Sequence, residues 1–520
     1  MKLSFIFTDH MVLQADMPIR VFGEGAGRVE VAFCGNSGAV ESKGENWIIT
    51  LPAMPYGGPY EMSITLNGEE TILRDIYIGE VWFAGGQSNM EMPLFCIENG
   101  FDFAKYAKNN MLRLFTVPRR PLKDVRFSSW HFNNNPEIDT PWELCEEKTV
   151  LNFSAIGYLA AKQLQEKLGV AVGVISCNYG GTWIEHWTKC CYLQHLPQMQ
   201  AAMDAHDKRV AQTDMEEYRI RYLQAMEQRN RVCDEDKVDY IEKTRQMGIR
   251  ATVLFPDRKD YGPVPAGPYD LHPLNVGCLY EAMTARIVPY GMRGVMWYLG
   301  ESNEDENYCQ RYLAYMQCMK EEFQNQDLKF YALELASFGY SWKDSTTIVT
   351  DGCSKELNFA HTREQQYLAT RLAPNNYVVT TMELGDPNNI HSIHKAQMAH
   401  RLALKILKYS YGFTVQADQP VAVSAEFKDG KAYITVENGE GLFSLYPTAV
   451  DIFVADESGA LKKADLEIQG STLILSNPEV KQPVMARYAF DRSYIGRHIH
   501  NGAGLPLAPF RTDGEFFLQG

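Results

Sequence analysis

No stretch of eighteen or so consecutive apolar residues occurs anywhere in this chain of 520 residues, so no membrane-spanning helix is expected. Positive charge is also scarce. Lys and Arg number 50 against 65 Asp and Glu, a formal net charge of −15, which excludes a general binder of nucleic acid or anionic membrane. Metal-site spacing is missing too. There is no CxxC pair, and none of the 12 histidines falls in an HExxH arrangement. The cysteines number 11, an odd and scattered set in which Cys190 and Cys191 are adjacent. That pattern excludes a regular disulfide framework and points to reduced thiols. The opening residues MKLSFIFTDHMVLQADMP carry no small-residue cleavage site, and Thr8, Asp9 and His10 interrupt the early apolar stretch. The chain is therefore expected to be folded from its start and cytoplasmic, with a secreted or periplasmic location only if a leader has been removed.

What is present is an ordinary globular balance, 45% hydrophobic and 22% charged, in a chain long enough for about two or three domains. Short apolar runs separated by turn residues (IRVFGEG, RVEVAF, NWIITLP, YEMSITLNG) predict an N-terminal antiparallel β module over residues 1–75. From 76 onward apolar runs alternate with helical periodicity. Strands are predicted at 76–84, 170–177, 294–299, 329–335 and 377–384, and helices at 152–168, 307–323 and 396–410. This alternation predicts an α/β core with a mostly parallel sheet covered by helices, spanning 76–412. A charged helical insertion is expected near 188–250, and the proline-rich residues 256–268 read as an irregular connector. Strand-like runs return after Phe413 and predict a C-terminal β module over 413–520.

In an open α/β sheet, ligands bind beyond the carboxyl ends of the strands. The residues found there are Gly85-Gly86-Gln87-Ser88, then Asn178-Tyr179-Gly180-Gly181, then Gly300-Glu301-Ser302-Asn303, and last Gly385-Asp386 leading to His391. These are the parts that acyl transfer needs. A serine hydroxyl requires a base, for which an imidazole serves, and the tetrahedral oxyanion requires donors already in place. Ser88 would be the nucleophile and His391 the base, with Ser392 capping the helix behind it. The Ser88 N–H, a glycine N–H from Gly180 or Gly181 and the Asn303 amide would face the oxyanion. Taken singly, each residue has a plainer reading as a turn residue or a helix cap. Their common position after strands favours chemistry.

The motifs also carry a resemblance. FTDHMVLQADMPIRVFGEG (7–25), GEVWFAGGQSNMEMP (79–93), NYGGTWIEHW (178–187), LYEAMTARIVPYGMRGVMWYLGESN (279–303), LGDPNNIHSIHKAQMAHRLA (384–403) and GLPLAPFRTD (504–513) are similar to successive blocks of the sialate O-acetylesterase family, a branch of the SGNH (GDSL-like) hydrolases. The resemblance implies an SGNH-type three-layer core with flanking β domains. It implies hydrolysis of O-acetyl esters on sugars, without metal or cofactor. It gives Ser88 and His391 the nucleophile and base roles and gives the oxyanion role to Ser88, Gly180 or Gly181, and Asn303.

Three positions depart from the family pattern. Leu299 stands where glutamine is usual, Ser392 where proline follows the histidine, and Asn389 where an aspartate often stands, while the wider Asp-x-x-His spacing falls on Asn388. The orienting carboxylate is therefore assigned to Asp386, the nearest in sequence, with Glu301 as the alternative. The expected function is removal of O-acetyl groups from sialic acid or other acetylated sugars. The rivals are an esterase for acetylated xylo- or manno-oligosaccharides, and a glycan-binding protein whose catalytic centre has decayed.

Overall fold

A computed structural model describes residues 2–118, 141–214, 216–217, 220–221, 224, 275–303, 307–339, 358–494 and 497–518. The connector expected at 256–268 and about half of the insertion expected at 188–250 lie outside these residues. The described start of that insertion is helical, with a short turn at Cys190–Tyr192 and a helix at Pro197–Ala211. The chain forms two compact units, one of residues 1–299 and 314–330, the other of residues 300–313 and 331–520.

The first unit opens with strands β1 (Lys2–Leu3), β2 (Val12–Gln14), β3 (Ile19–Phe33), β4 (Asn36–Leu51), β5 (Gly57–Leu66) and β6 (Glu69–Gly86). β3 pairs antiparallel with β1, β4 and β5, as short alternating runs between turns predict. β6 serves two neighbourhoods. Its first half pairs antiparallel with β5 as far as Ile78, and its second half, from Glu80, pairs parallel with β9 (Val172–Asn178). Trp82 to Gly86 also pair parallel with β10 (Gly294–Tyr298). β7 (Asn109–Thr116) lies parallel to β9 on its other side and antiparallel to β8 (Glu143–Cys145). The burial of β6 follows this division: its start is largely exposed, whereas Gly79 to Gly86 are all buried, and apolar except Glu80, whose carboxylate is paired with Arg293 at 2.7 Å.

The helix Ala155–Leu168 packs on β7 and β9. Its ends are well specified. The Ser154 side chain accepts the Gly157 N–H at 3.1 Å, and Gly169 closes the helix in the left-handed region at φ 68°.

In the second unit the strand Asn376–Val379 is flanked by the helices Asn358–Leu372 and Lys395–Tyr411. The strand expected at 377–384 is shorter than the sequence suggests. The buried Glu334 carboxylate accepts from Thr380 Oγ1, Thr381 N–H and Met382 N–H, and the chain leaves the strand for a 3-10 turn at Met382–Leu384. The rest of this unit holds two four-stranded antiparallel-paired sheets. Ile434, Val436, Leu473 and Leu475 of one sheet share a core with Ile452, Val454, Ala486 and Tyr488 of the other. The molecule is thus mixed α/β, with a large, mostly parallel central sheet and further antiparallel sheets towards the C-terminus.

Candidate functional site

Ser88 sits where β6 stops. The two glycines before it answer to packing. A Cβ on Gly86, whose φ is 145°, would stand 2.1 Å from the Tyr298 carbonyl oxygen, so only glycine lets β6 run this close to β10. Gln87 N–H donates to that same carbonyl at 3.1 Å, and Tyr179 N–H donates to Gly86 O at 3.0 Å. The chain then turns at once into the short helix Ser88–Glu91. Ser154, the cap of the following long helix, also donates its hydroxyl to Met90 O at 2.6 Å, and Ala155 N–H donates to Met92 O at 2.9 Å. The turn that carries Ser88 is therefore held by backbone and side-chain bonds on both sides of the serine.

The glycine turn after β9 lies against it. A Cβ on Gly180 would be 3.2 Å from Ser88 Cβ and 3.3 Å from Glu91 Oε2. Gly181 has φ 73° and open space around its α-carbon. Thr182 holds the turn from behind, donating its hydroxyl to Tyr179 O at 2.7 Å and accepting from Trp187 Nε1 at 3.0 Å. Ser88, Gly180 and Gly181 are thus brought together within the first unit. Glu91 belongs to the same surface and was not singled out from the sequence. Its i, i+3 spacing from Ser88 on one helical turn is the signal that marks it.

The second unit carries the other candidates. Glu301 and Asn303 are buried, at 5% and 3% exposure. The Asn303 backbone is held on both sides, its N–H donating to Gly300 O at 3.0 Å and its carbonyl accepting from Thr362 Oγ1 at 3.0 Å. Asn303 does not cap the next helix, which begins at Tyr308. His391 is partly buried, and its N–H donates to Asn389 Oδ1 at 2.9 Å. Burial pushes the imidazole down to about 4, and the charge of Lys395 acts in the same direction. Lys395 is fully buried at the first position of its helix. Burial takes it down to about 7, opposed by Glu301. Lys395 is the second residue that sequence reasoning missed. Its signal was a lysine four positions after the candidate base, at the start of a helix.

One expectation about this loop changes. Ser392 is not the helix cap. The helix begins at Lys395 with His394 as its cap residue, and Ser392 donates its hydroxyl to Leu384 O while accepting the His394 N–H at 3.3 Å. Asp386 sits in the turn before His391. Its Oδ1 accepts the Asn388 N–H at 2.8 Å and its carbonyl accepts the Asn389 N–H at 3.1 Å, which closes a tight turn.

Among the described residues, no group of three or more His, Cys, Asp or Glu is placed to hold a metal ion. Among the same residues, no helix is long and apolar enough to cross a membrane.

No family model matches the chain. It is 23% identical over 474 residues to a sialate O-acetylesterase from Mus musculus, which covers 84% of this chain and 79% of that protein. It is 24% identical over 447 residues to a sialate O-acetylesterase from Rattus norvegicus, covering 79% of this chain and 74% of that one. Among solved structures it is similar to a carbohydrate acetylesterase from Xanthomonas citri, at 25% identity and a TM-score of 0.74, over 98% of this chain and 99% of that chain.

Proposed function

The chain belongs to the sialate O-acetylesterase family and is an ester hydrolase, and from that premise we propose that it removes O-acetyl groups from sugars through an acetyl-serine intermediate. The core is read as SGNH-type, flanked by β modules at 1–75 and 413–520. The observation that carries the reading is the seat of Ser88, fixed at the end of β6 with the Gly180 turn a van der Waals contact away.

Ser88 Oγ attacks the acetyl carbonyl while His391 takes its proton. The low position of the His391 imidazole supports this, because a base must be neutral to accept. The oxyanion is met by the Ser88 N–H, a glycine N–H at Gly180 or Gly181, and the Asn303 amide. Collapse of the intermediate expels the sugar hydroxyl, which recovers the proton from His391. Water activated by His391 then releases acetate and frees Ser88. Asp386 is proposed to orient the imidazole through Oδ2, the oxygen not used in its turn, with Glu301 as the alternative. No metal or cofactor takes part in these steps.

The odd, scattered cysteines, with no CxxC spacing among them, support a reducing, cytoplasmic location. The proposed substrates are sialic acid esters or other acetylated sugars and oligosaccharides. An acetate-release panel over 4-nitrophenyl acetate, acetylated sialic acid and acetylated xylo- and manno-oligosaccharides tests the function. Release from at least one sugar ester is expected. Failure on every member would leave the glycan-binding reading in its place.

A further inference from the structure

Six tryptophans lie among the described residues, and five of them are 3% exposed or less. Trp183 is 46% exposed. A tryptophan left in water forgoes a large burial gain, so its place matters. It stands two residues after Gly181 on the turn that carries Gly180 to Ser88.

Its ring is also held still. The buried His186 imidazole stacks on it at 5.6 Å between centroids and 16° between planes. The Trp183 N–H donates to His186 Nδ1 at 3.0 Å, so the same histidine fixes both the ring and its backbone. His186 in turn sits in the 3-10 turn Ile184–Trp187, whose neighbours Ile184 and Trp187 are buried at 0% and 1%. One face of the indole is thus backed by a rigid group, and the ring remains open to solvent.

From this we propose that Trp183 is the sugar platform of the enzyme, stacking on the pyranose ring that bears the acetyl group or on its neighbour. The inference rests on the esterase reading given above and narrows its substrate class. An indole face binds by dispersion and by covering apolar C–H surface. It suits an uncharged pyranoside with equatorial substituents, whose C–H bonds gather on the ring faces. It contributes little to a carboxylate, which would keep its water. Because His186 holds the ring in place beforehand, little rotamer freedom is lost on binding.

The test compares kcat/KM for an acetylated xylo-oligosaccharide with that for 4-nitrophenyl acetate, which has no sugar ring. In Trp183→Ala the ratio of the two should fall about tenfold, the loss expected of a buried aromatic anchor at about 1.4 kcal/mol per tenfold. Trp183→Phe should recover most of it, through a lower KM. The 4-nitrophenyl acetate rate reports that each variant is folded. An unchanged ratio in Trp183→Ala, with wild-type enzyme active on the oligosaccharide, would overturn the platform alone. Wild-type enzyme inactive on every sugar ester would overturn both the proposed function and the platform.

Discussion

His391 can accept a proton only while its imidazole is neutral, and the structure gives that condition a physical cause. Burial holds it down to about 4, below its ordinary 6.5, with the Lys395 charge assisting. The acid limb of kcat/KM on 4-nitrophenyl acetate should therefore fall near about pH 4. A limb near 6.5 would mean that the base is solvated and that this burial is absent in solution. The stability effect has the same sign. Between pH 4 and 6.5 the unfolded chain binds a proton at His391 that the folded chain refuses, so stability falls as pH falls through that window. Lys395 acts likewise at higher pH, adding stability as pH rises from about 7 to 10.5. The orienting carboxylate is decided by comparing Asp386→Asn with Glu301→Gln. Asp386→Asn should lower kcat at least a hundredfold, a smaller figure than the roughly ten-thousandfold seen where a triad aspartate is lost. A mild loss there with a severe one at Glu301 would transfer the role. The sequence could present Asp386 as near His391 but not show that its Oδ1 closes a turn onto Asn388.

Among the elements, the helix Ala155–Leu168 and the strands β9 and β10 were legible because their signals are local. Ser154 and Gly169 bracket a 3.6-residue pattern, and unbroken apolar runs mark buried strands. The double pairing of β6 was not legible, because it depends on partners from β5 to β10 that lie far away in sequence. The early end of the strand after Val379 has a similar cause, a carboxylate from Glu334 more than forty residues upstream. Ser154 joins two elements, capping one helix and bonding the carbonyl of Met90 in the turn that holds Ser88. Ser154→Ala should cost about 1–2 kcal/mol in urea unfolding, the usual value of a lost cap. It should also lower kcat, since the short helix loses its anchor. Unchanged stability and rate would show that the Ser88 turn is held by its neighbours alone.

At the scale of the molecule, the acidic charge and the lack of an apolar span bound the possible partners but say nothing of chemistry. The proposed chemistry draws on loops that follow strands and are spread over some three hundred residues of the sequence. Most of those loops could be picked out in the sequence because glycine, serine, asparagine and histidine follow apolar runs. Glu91, Lys395 and the solvent-facing Trp183 could not be ranked there, since their weight comes from burial or exposure in the folded chain. The account stands or falls on Ser88. Acetate release from 4-nitrophenyl acetate by purified Ser88→Ala, with its fold checked by circular dichroism, is the most direct test. The account predicts a loss on the order of a millionfold in kcat, as for a nucleophile acting as one unit with its base. A variant that kept more than about a few per cent of wild-type turnover would contradict it, and Ser88 would then be only a turn residue at the end of β6.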